Sequence, residues 1–250
     1  MLTGTMPRLE IAANSLASAL AAERGGASRI ELCTALELGG LTPSAAQIAL
    51  VRERLSIPVH VLVRPRAGDF VYSEEEHRTM LADIAHCAAA GCDGVVMGAL
   101  TQEGDVDLER CGELMRAAGA LDATFHRAID VCRDGAAALE AIVALGFRRV
   151  LTSGAAASAV DGADAVRRLV RQAGDRIVVM PGAGITADNI AALASATGAS
   201  EFHASARRAL PSRMRNGDAG APDMRDGEVR TDIDEVRALV AQLRAGPVPA

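Results

Sequence analysis

One apolar segment of this chain ends in residues that could do chemistry. The run from Ile57 to Val63 is apolar apart from His60, which is typical of a buried strand, and Arg64 and Arg66 follow it. Successive side chains of a strand point to opposite faces, so His60 and Arg64 share one face. A histidine and an arginine in that position are either satisfied inside a core or face a binding site.

Three of the five histidines lie on segments predicted to be strands, namely His60, His126 and His203. The other two, His77 and His86, fall on a predicted helix, where we interpret them as surface or packing residues. A single histidine on a strand is more often a satisfied core residue than a catalyst. Several titratable groups at the carboxyl ends of strands in one domain indicate a ligand pocket instead.

Acid–base chemistry is the first chemistry that these residue types allow. Glu31 or His126 would act as general base or acid, and Asp130 would orient a histidine. The residues predicted to be catalytic are Glu31, His60, His126 and Asp130.

Anion binding is the second chemistry. Short turns rich in Gly, Ala and Ser follow the predicted strands six, seven and eight, and a helix begins at Thr186 or Ala187. Glycine lets backbone N–H groups approach an anion, and the positive end of that helix would point at it. Turns from a strand to a helix need glycine even without a ligand, so the prediction of an anion site depends largely on the arginines. The predicted anion-binding residues are Arg64, Arg66, Arg127, Ser153, Gly154, Gly182, Gly184 and Ser205.

A metal site is the competing chemistry. Some catalytic zinc sites use three histidines, but strands three, five and eight need not bring theirs within bonding distance, and copper(I) prefers thiolate or thioether ligands. Cys33 is the only cysteine at the carboxyl end of a predicted strand. The spacing of these residues alone allows a metal without indicating one.

Composition excludes several classes of protein. All 26 basic residues are arginine, so neither a lysine Schiff base nor pyridoxal phosphate is expected. A net charge of −6 and only five aromatic residues argue against nucleic-acid binding. No Gly-x-Gly-x-x-Gly follows the first strand, so no nicotinamide cofactor is expected. Five cysteines without a CxxC pair, no apolar signal segment and no membrane-length apolar run predict a cytoplasmic protein with no membrane contact.

The pattern of elements predicts a single (β/α)8 TIM barrel. Eight short strands alternate with eight helices over residues 9–250, after an N-terminal extension of residues 1–8. A doubly wound open sheet is the rival architecture. One insertion, at about 211–231, lies between the last strand and its helix. It is either a floppy insertion or a lid in which Arg213 or Arg215 reaches the pocket.

The chain resembles the CutC family, named for copper homeostasis. Its matching segments are residues 26–33, 39–44, 57–60, 64–66, 68–73, 93–96, 124–130, 150–154 and 182–184. The resemblance implies a cytoplasmic (β/α)8 barrel that forms a homo-oligomer, with a dimer favoured, and a role in copper tolerance or copper binding. The family often has a cysteine where this chain has Ala12, which would leave Cys33 without a partner.

Three functions therefore remain open. The first is copper handling, with Cu(I) held weakly by Cys33 and a nearby histidine or methionine; His203 is the histidine we assign. The second is an enzyme acting on a small anionic or phosphorylated substrate, with the arginines holding the anion. The third is a non-catalytic scaffold that works through its oligomer surface.

Overall fold

The computed structural model describes residues 7–215 and 227–245, which form the predicted (β/α)8 barrel. Eight parallel strands are hydrogen-bonded in the order β7-β6-β5-β4-β3-β2-β1-β8, and a parallel bridge between Gly182 and His203 brings β7 against β8. The strands are β1 (Arg8–Ala13), β2 (Arg29–Leu32), β3 (Val59–Leu62), β4 (Gly94–Met97), β5 (Asp122–Phe125), β6 (Arg149–Thr152), β7 (Val178–Pro181) and β8 (Glu201–Ala204). The barrel thus begins at Arg8, one residue earlier than predicted.

Eight helices follow the strands in the described chain. They are α1 (Leu16–Gly25), α2 (Ala45–Arg54), α3 (Glu74–Ala89), α4 (Leu108–Ala118), α5 (Gly135–Ala144), α6 (Ala163–Ala173), α7 (Ile190–Thr197) and α8 (Ile233–Ala245). Side-chain caps fix several of their starts: Ser73 and Glu76 form a capping box at α3. None of the helices in the described parts of the chain is both long and apolar enough to cross a membrane.

Helix α2 begins after Ser44, its N-cap, which accepts a hydrogen bond from the N–H of Gln47. One predicted helix start, that of α7, is wrong. The helix expected from Thr186 begins only at Ile190, because the Asn189 side chain holds residues 184–189 in a turn. The helix end is therefore set back from Gly184, which weakens its predicted role as an anion site.

The main apolar core lies between the strands and the helices, whereas the inside of the barrel holds buried charged residues. Val59, Val61 and Val63 belong to the outer core, which confirms that His60 and Arg64 share the opposite face. Inside the barrel, Arg29 bonds to Glu10 and Glu201, and Arg149 bonds to Glu201 and Asp122. Gly94 makes room for His60, since a Cβ there would lie 2.7 Å from its ring.

The segment after β8 forms a hairpin that the sequence did not predict. Strand β9 (Arg207–Ala209) pairs antiparallel with β10 (Val229–Thr231). The predicted insertion at 211–231 is therefore partly a strand. Arg213 and Arg215 are exposed and do not line the pocket described below, so the described chain does not support their role in a lid. Residues 216–226 of the insertion lie outside the described residues.

Candidate active site

A pocket of about 820 Å³ opens at the carboxyl ends of the strands, and we call it the mouth pocket. Its walls are mixed, with acid–base and cationic side chains on the strand ends and leucine side chains between them. The predicted site residues that line it are Glu31, Arg64, His126, Arg127, Asp130, Gly184, His203 and Ser205. The predicted residues that do not line it are Cys33, His60, Arg66, Ser153, Gly154 and Gly182.

Glu10 and His203 form a hydrogen-bonded pair at the base of this pocket. Register places them side by side on β1 and β8, and Nδ1 of His203 lies 2.7 Å from Oε1 of Glu10. Burial alone would raise the pKa of Glu10, but the Arg29 ion pair and the hydrogen bond with His203 outweigh it and hold the pKa well below its ordinary value. An ionised carboxylate only accepts hydrogen bonds, so Nδ1 of His203 is the donor.

Glu31 is the least satisfied acid of the pocket. It is 6% exposed, and its carboxylate makes no hydrogen bond within the described chain. Its nearest cationic group is Nε2 of His203, 3.8 Å from Oε2. Burial raises the pKa of Glu31 to about 7, with Glu10 adding to the rise and His203 opposing it. Burial lowers the pKa of His203, but Glu31 and Glu10 raise it above its ordinary value overall. These two side chains therefore compete for one proton near neutral pH.

His60 and His126 are both buried and neutral, but only His126 reaches the pocket. Burial lowers the pKa of His60 to about 4, and its Nδ1 has no partner within the described chain. Burial and the charge of Arg64 lower the pKa of His126 to about 3. Gly98 leaves space beside His126, because a Cβ there would lie 3.0 Å from Cε1 of the ring.

Arg64 carries a buried charge with no carboxylate partner within the described residues. Its Nη atoms donate to the carbonyls of Leu38, Gly40 and Gly68 at 2.8–3.0 Å. Its guanidinium lies 5.0 Å from the centre of the Phe70 ring. Arg66, in contrast, is engaged outside the pocket by Asp69 and Glu76. Of the three arginines predicted to bind an anion, Arg66 and Arg127 have carboxylate partners, whereas Arg64 has none within the described residues.

Asp130 organises the loop after β6. It accepts hydrogen bonds from the hydroxyl of Thr152 at 2.5 Å and from the N–H of Ser153 at 3.0 Å. It also pairs with Arg127, which donates to the Ser153 hydroxyl. We expected Asp130 to orient a histidine, but its oxygens are occupied by this loop and by Arg127. Gly154 serves the same turn, since it has a φ of 73° and contacts Gly162.

Cys33 does not line the mouth pocket. Its thiol is buried with Leu62 and Val96 and is 3.8 Å from the carbonyl oxygen of Ala13. Burial raises the pKa of this thiol well above its ordinary value. Among the described residues, the group with metal-ligand spacing is Glu10, Glu31 and His203, whose ligand atoms lie within 4.8 Å of one another. A set of two carboxylates and one imidazole is a poor match for Cu(I), which prefers sulfur ligands.

Two important residues were missed as site residues, Glu10 and Arg29. Arg29 donates from Nε to Glu10 at 2.5 Å and from Nη2 to Glu201 at 2.7 Å, and thereby fixes the carboxylate that holds His203. Strand alternation on β1 and β2 places both side chains on the inner face of the barrel, and this could have been predicted from the sequence. Which residues they pair with depends on the register between strands that are distant in the sequence.

The fold and the pocket define the class of this protein: a (β/α)8 barrel with acid–base residues and a buried arginine at its carboxyl-terminal mouth. Within this class, the chain belongs to the CutC family, whose family model matches residues 7–208. The resemblance seen in the sequence is thus confirmed.

Known relatives cover most of the chain. A CutC family protein of Xylella fastidiosa is 53% identical over 243 residues, which are 97% of this chain and 91% of that protein. The human copper homeostasis protein cutC homolog is 49% identical over 207 residues, 83% of this chain and 76% of that protein. A crystal structure of a copper homeostasis protein CutC from Streptococcus agalactiae has a TM-score of 0.77 and 34% identity, covering 80% of this chain and 98% of that chain.

Proposed function

We propose that this protein is an enzyme that binds a small anionic molecule in the mouth pocket and transfers a proton on it. The observation that carries the proposal is the 2.7 Å contact between Glu10 and Nδ1 of His203. It fixes the imidazole so that Nε2 faces Glu31, 3.8 Å away, at the base of the pocket. A carboxylate–histidine pair beside a second acid is suited to general acid–base catalysis.

Deuterium uptake from D2O tests this proposal without a known substrate. Small hydroxy acids, oxo acids and sugar phosphates are incubated with the protein, and exchange of their C–H groups is followed by proton NMR. We expect exchange in at least one compound, and Glu31→Gln should slow it by about a hundredfold or more. The matched control is Glu37→Gln, an exposed glutamate of the turn Leu36–Leu38 that does not line the pocket.

Two results would contradict the proposal. One is exchange that proceeds at the same rate in Glu31→Gln and wild type. The other is a nitrogen-15 NMR spectrum in which neutral His203 carries its proton on Nε2, because that tautomer cannot accept a proton there.

We propose as a second function a role in copper homeostasis, which the names of the human and streptococcal relatives support. In this proposal Cys33 and His203 hold Cu(I) weakly, because the buried thiol must lose its proton on binding. Titration with Cu(I) against a competing chelator should show at least about tenfold weaker binding by Cys33→Ala. Cys111→Ala is the control, since Cys111 is also buried and lies 3.6 Å from a carbonyl oxygen. Equal affinities for Cys33→Ala and wild type would exclude Cys33 as a ligand.

We further propose that the protein acts in the cytoplasm as a homo-oligomer, with a dimer favoured. The free state of its five cysteines is consistent with a reducing compartment.

A further inference from the structure

We infer that His126 and Arg64 form an oxyanion subsite in the mouth pocket, and that the ligand is a small carbonyl compound such as a 2-oxo acid or a hydroxy-carbonyl compound. This inference rests on the proposed function and names the substrate class for it. Its basis is a pair of buried N–H donors that have no partner within the described residues and belong to side chains lining a pocket that also holds a base.

His126 lines the pocket and has one N–H donor without a partner within the described chain. Its Nδ1 accepts a hydrogen bond from the backbone N–H of Ala128 at 3.3 Å, as the N-cap of the short turn Arg127–Val131. In a neutral imidazole with an accepting Nδ1, the proton is on Nε2. Nε2 is buried and has no partner within the described chain, and the ring, only 3% exposed, lines the pocket. An unpaired buried donor is costly unless a ligand completes it.

Arg64 adds positive charge to the same wall. Its Nε–H is buried and has no partner within the described chain, and its Nη atoms donate to carbonyl oxygens. The Phe70 ring contacts both subsite residues, with its centre 4.7 Å from that of His126 and 5.0 Å from the guanidinium carbon of Arg64. A buried guanidinium with no neutralising carboxylate favours a ligand with negative charge or a strongly polarised oxygen.

A base and two N–H donors in one pocket are suited to the enolisation of a carbonyl compound. Nε2 of His203 or the carboxylate of Glu31 takes the proton from the carbon next to the carbonyl. The electron pair of that C–H bond forms a C=C bond, and the carbonyl oxygen becomes an enolate oxygen. His126 and Arg64 stabilise this oxygen, and a neutral imidazole donor is well suited to the task. Return of a proton, or of a deuteron from D2O, to the same carbon restores the carbonyl compound, so no oxidant or reductant is needed.

Oxalate is the probe for this subsite, because it is a flat dianion with two adjacent carboxylates and no C–H bond. Calorimetry should show that oxalate binds the wild type, and that His126→Asn binds it about tenfold more weakly or worse. Asparagine keeps an oxygen that can cap Ala128 but removes the donor at the Nε2 position. His86→Asn, on an exposed part of α3, is the matched control and should bind oxalate as the wild type does.

A second measurement uses the wild type alone, so it does not depend on whether the variant folds. In long-range proton–nitrogen NMR spectra of the wild type, neutral His126 should carry its proton on Nε2, and oxalate should shift that signal. A proton on Nδ1, or equal oxalate affinity in His126→Asn and wild type, would overturn the inference. Since oxalate has no C–H bond to lose, its binding does not depend on proton transfer. Oxalate binding without deuterium exchange in any compound would therefore count against the proposed function alone.

Discussion

At pH 8, Glu31→Gln is expected to raise the free energy of unfolding by roughly 2 kcal/mol. The folded state holds a Glu31 carboxylate that is buried without a hydrogen bond in the described chain, and burial raises its pKa to about 7 from an ordinary value of 4.5. Ionising it costs the folded state more than the unfolded state. Glutamine removes this cost, although its own buried amide offsets part of the gain.

The pH dependence of the stability contributed by Glu31 is opposite to that of most carboxylates. Folded Glu31 binds its proton more tightly than the unfolded chain, so its contribution to stability rises as pH falls from 8 towards 4.5. The gain from Glu31→Gln should therefore nearly vanish at pH 5. Urea unfolding at both pH values measures this, with Glu37→Gln as an exposed control that changes stability by less than about 0.5 kcal/mol. A loss of stability at pH 8 would show that ionised Glu31 is well compensated.

A buried acid that destabilises the fold at the base of a pocket points to a functional role. Functional sites use acids with a shifted pKa, and such acids lower the stability of the folded protein. Glu31→Gln should thus stabilise the protein and slow deuterium exchange together. A purely structural polar residue would lose stability when replaced.

The fold and the inward-facing residues could be predicted because they depend on local patterns. Strand alternation placed His60 and Arg64 on one face, and the succession of strands and helices gave the barrel. Since all parallel strands present their carboxyl ends at one face, Glu31, His126 and His203 were expected at the same mouth. The structure places Glu31, His126 and His203 in one pocket, but His60 lies below it.

The ion-pair partners of the charged side chains could not be predicted from the sequence. Arg64 and Arg66 look alike in the sequence, yet Arg66 is bound by Asp69 and Glu76, whereas Arg64 meets main-chain carbonyls. The role of Asp130 was misjudged for the same reason, because the fold of the loop after β6 supplies its partners. Likewise, the apolar surroundings of Cys33 come from β3 and β4 and not from its own strand.

Arg29→Met is expected to lower the free energy of unfolding at pH 7 by about 3–5 kcal/mol. Arg29 is 4% exposed and binds Glu10 and Glu201 inside the barrel. Methionine fills part of the space but leaves the Glu10 carboxylate buried without its cation. The matched control is Arg148→Met, whose side chain is 71% exposed in its pair with Asp122 and should cost less than about 1 kcal/mol.

The pH dependence separates this electrostatic cost from a loss of packing. The Arg29 ion pair and the hydrogen bond with His203 overcome burial to keep the folded pKa of Glu10 below its unfolded value of 4.5. The stability contributed by this carboxylate is therefore present above pH 4.5 and is lost as pH falls through the folded pKa. Without Arg29, Glu10 can take up a proton at a higher pH, so the cost of Arg29→Met should shrink between pH 7 and pH 4.5. Urea unfolding across this range measures the change, and a cost that is independent of pH would mean that Arg29 stabilises the barrel by packing alone.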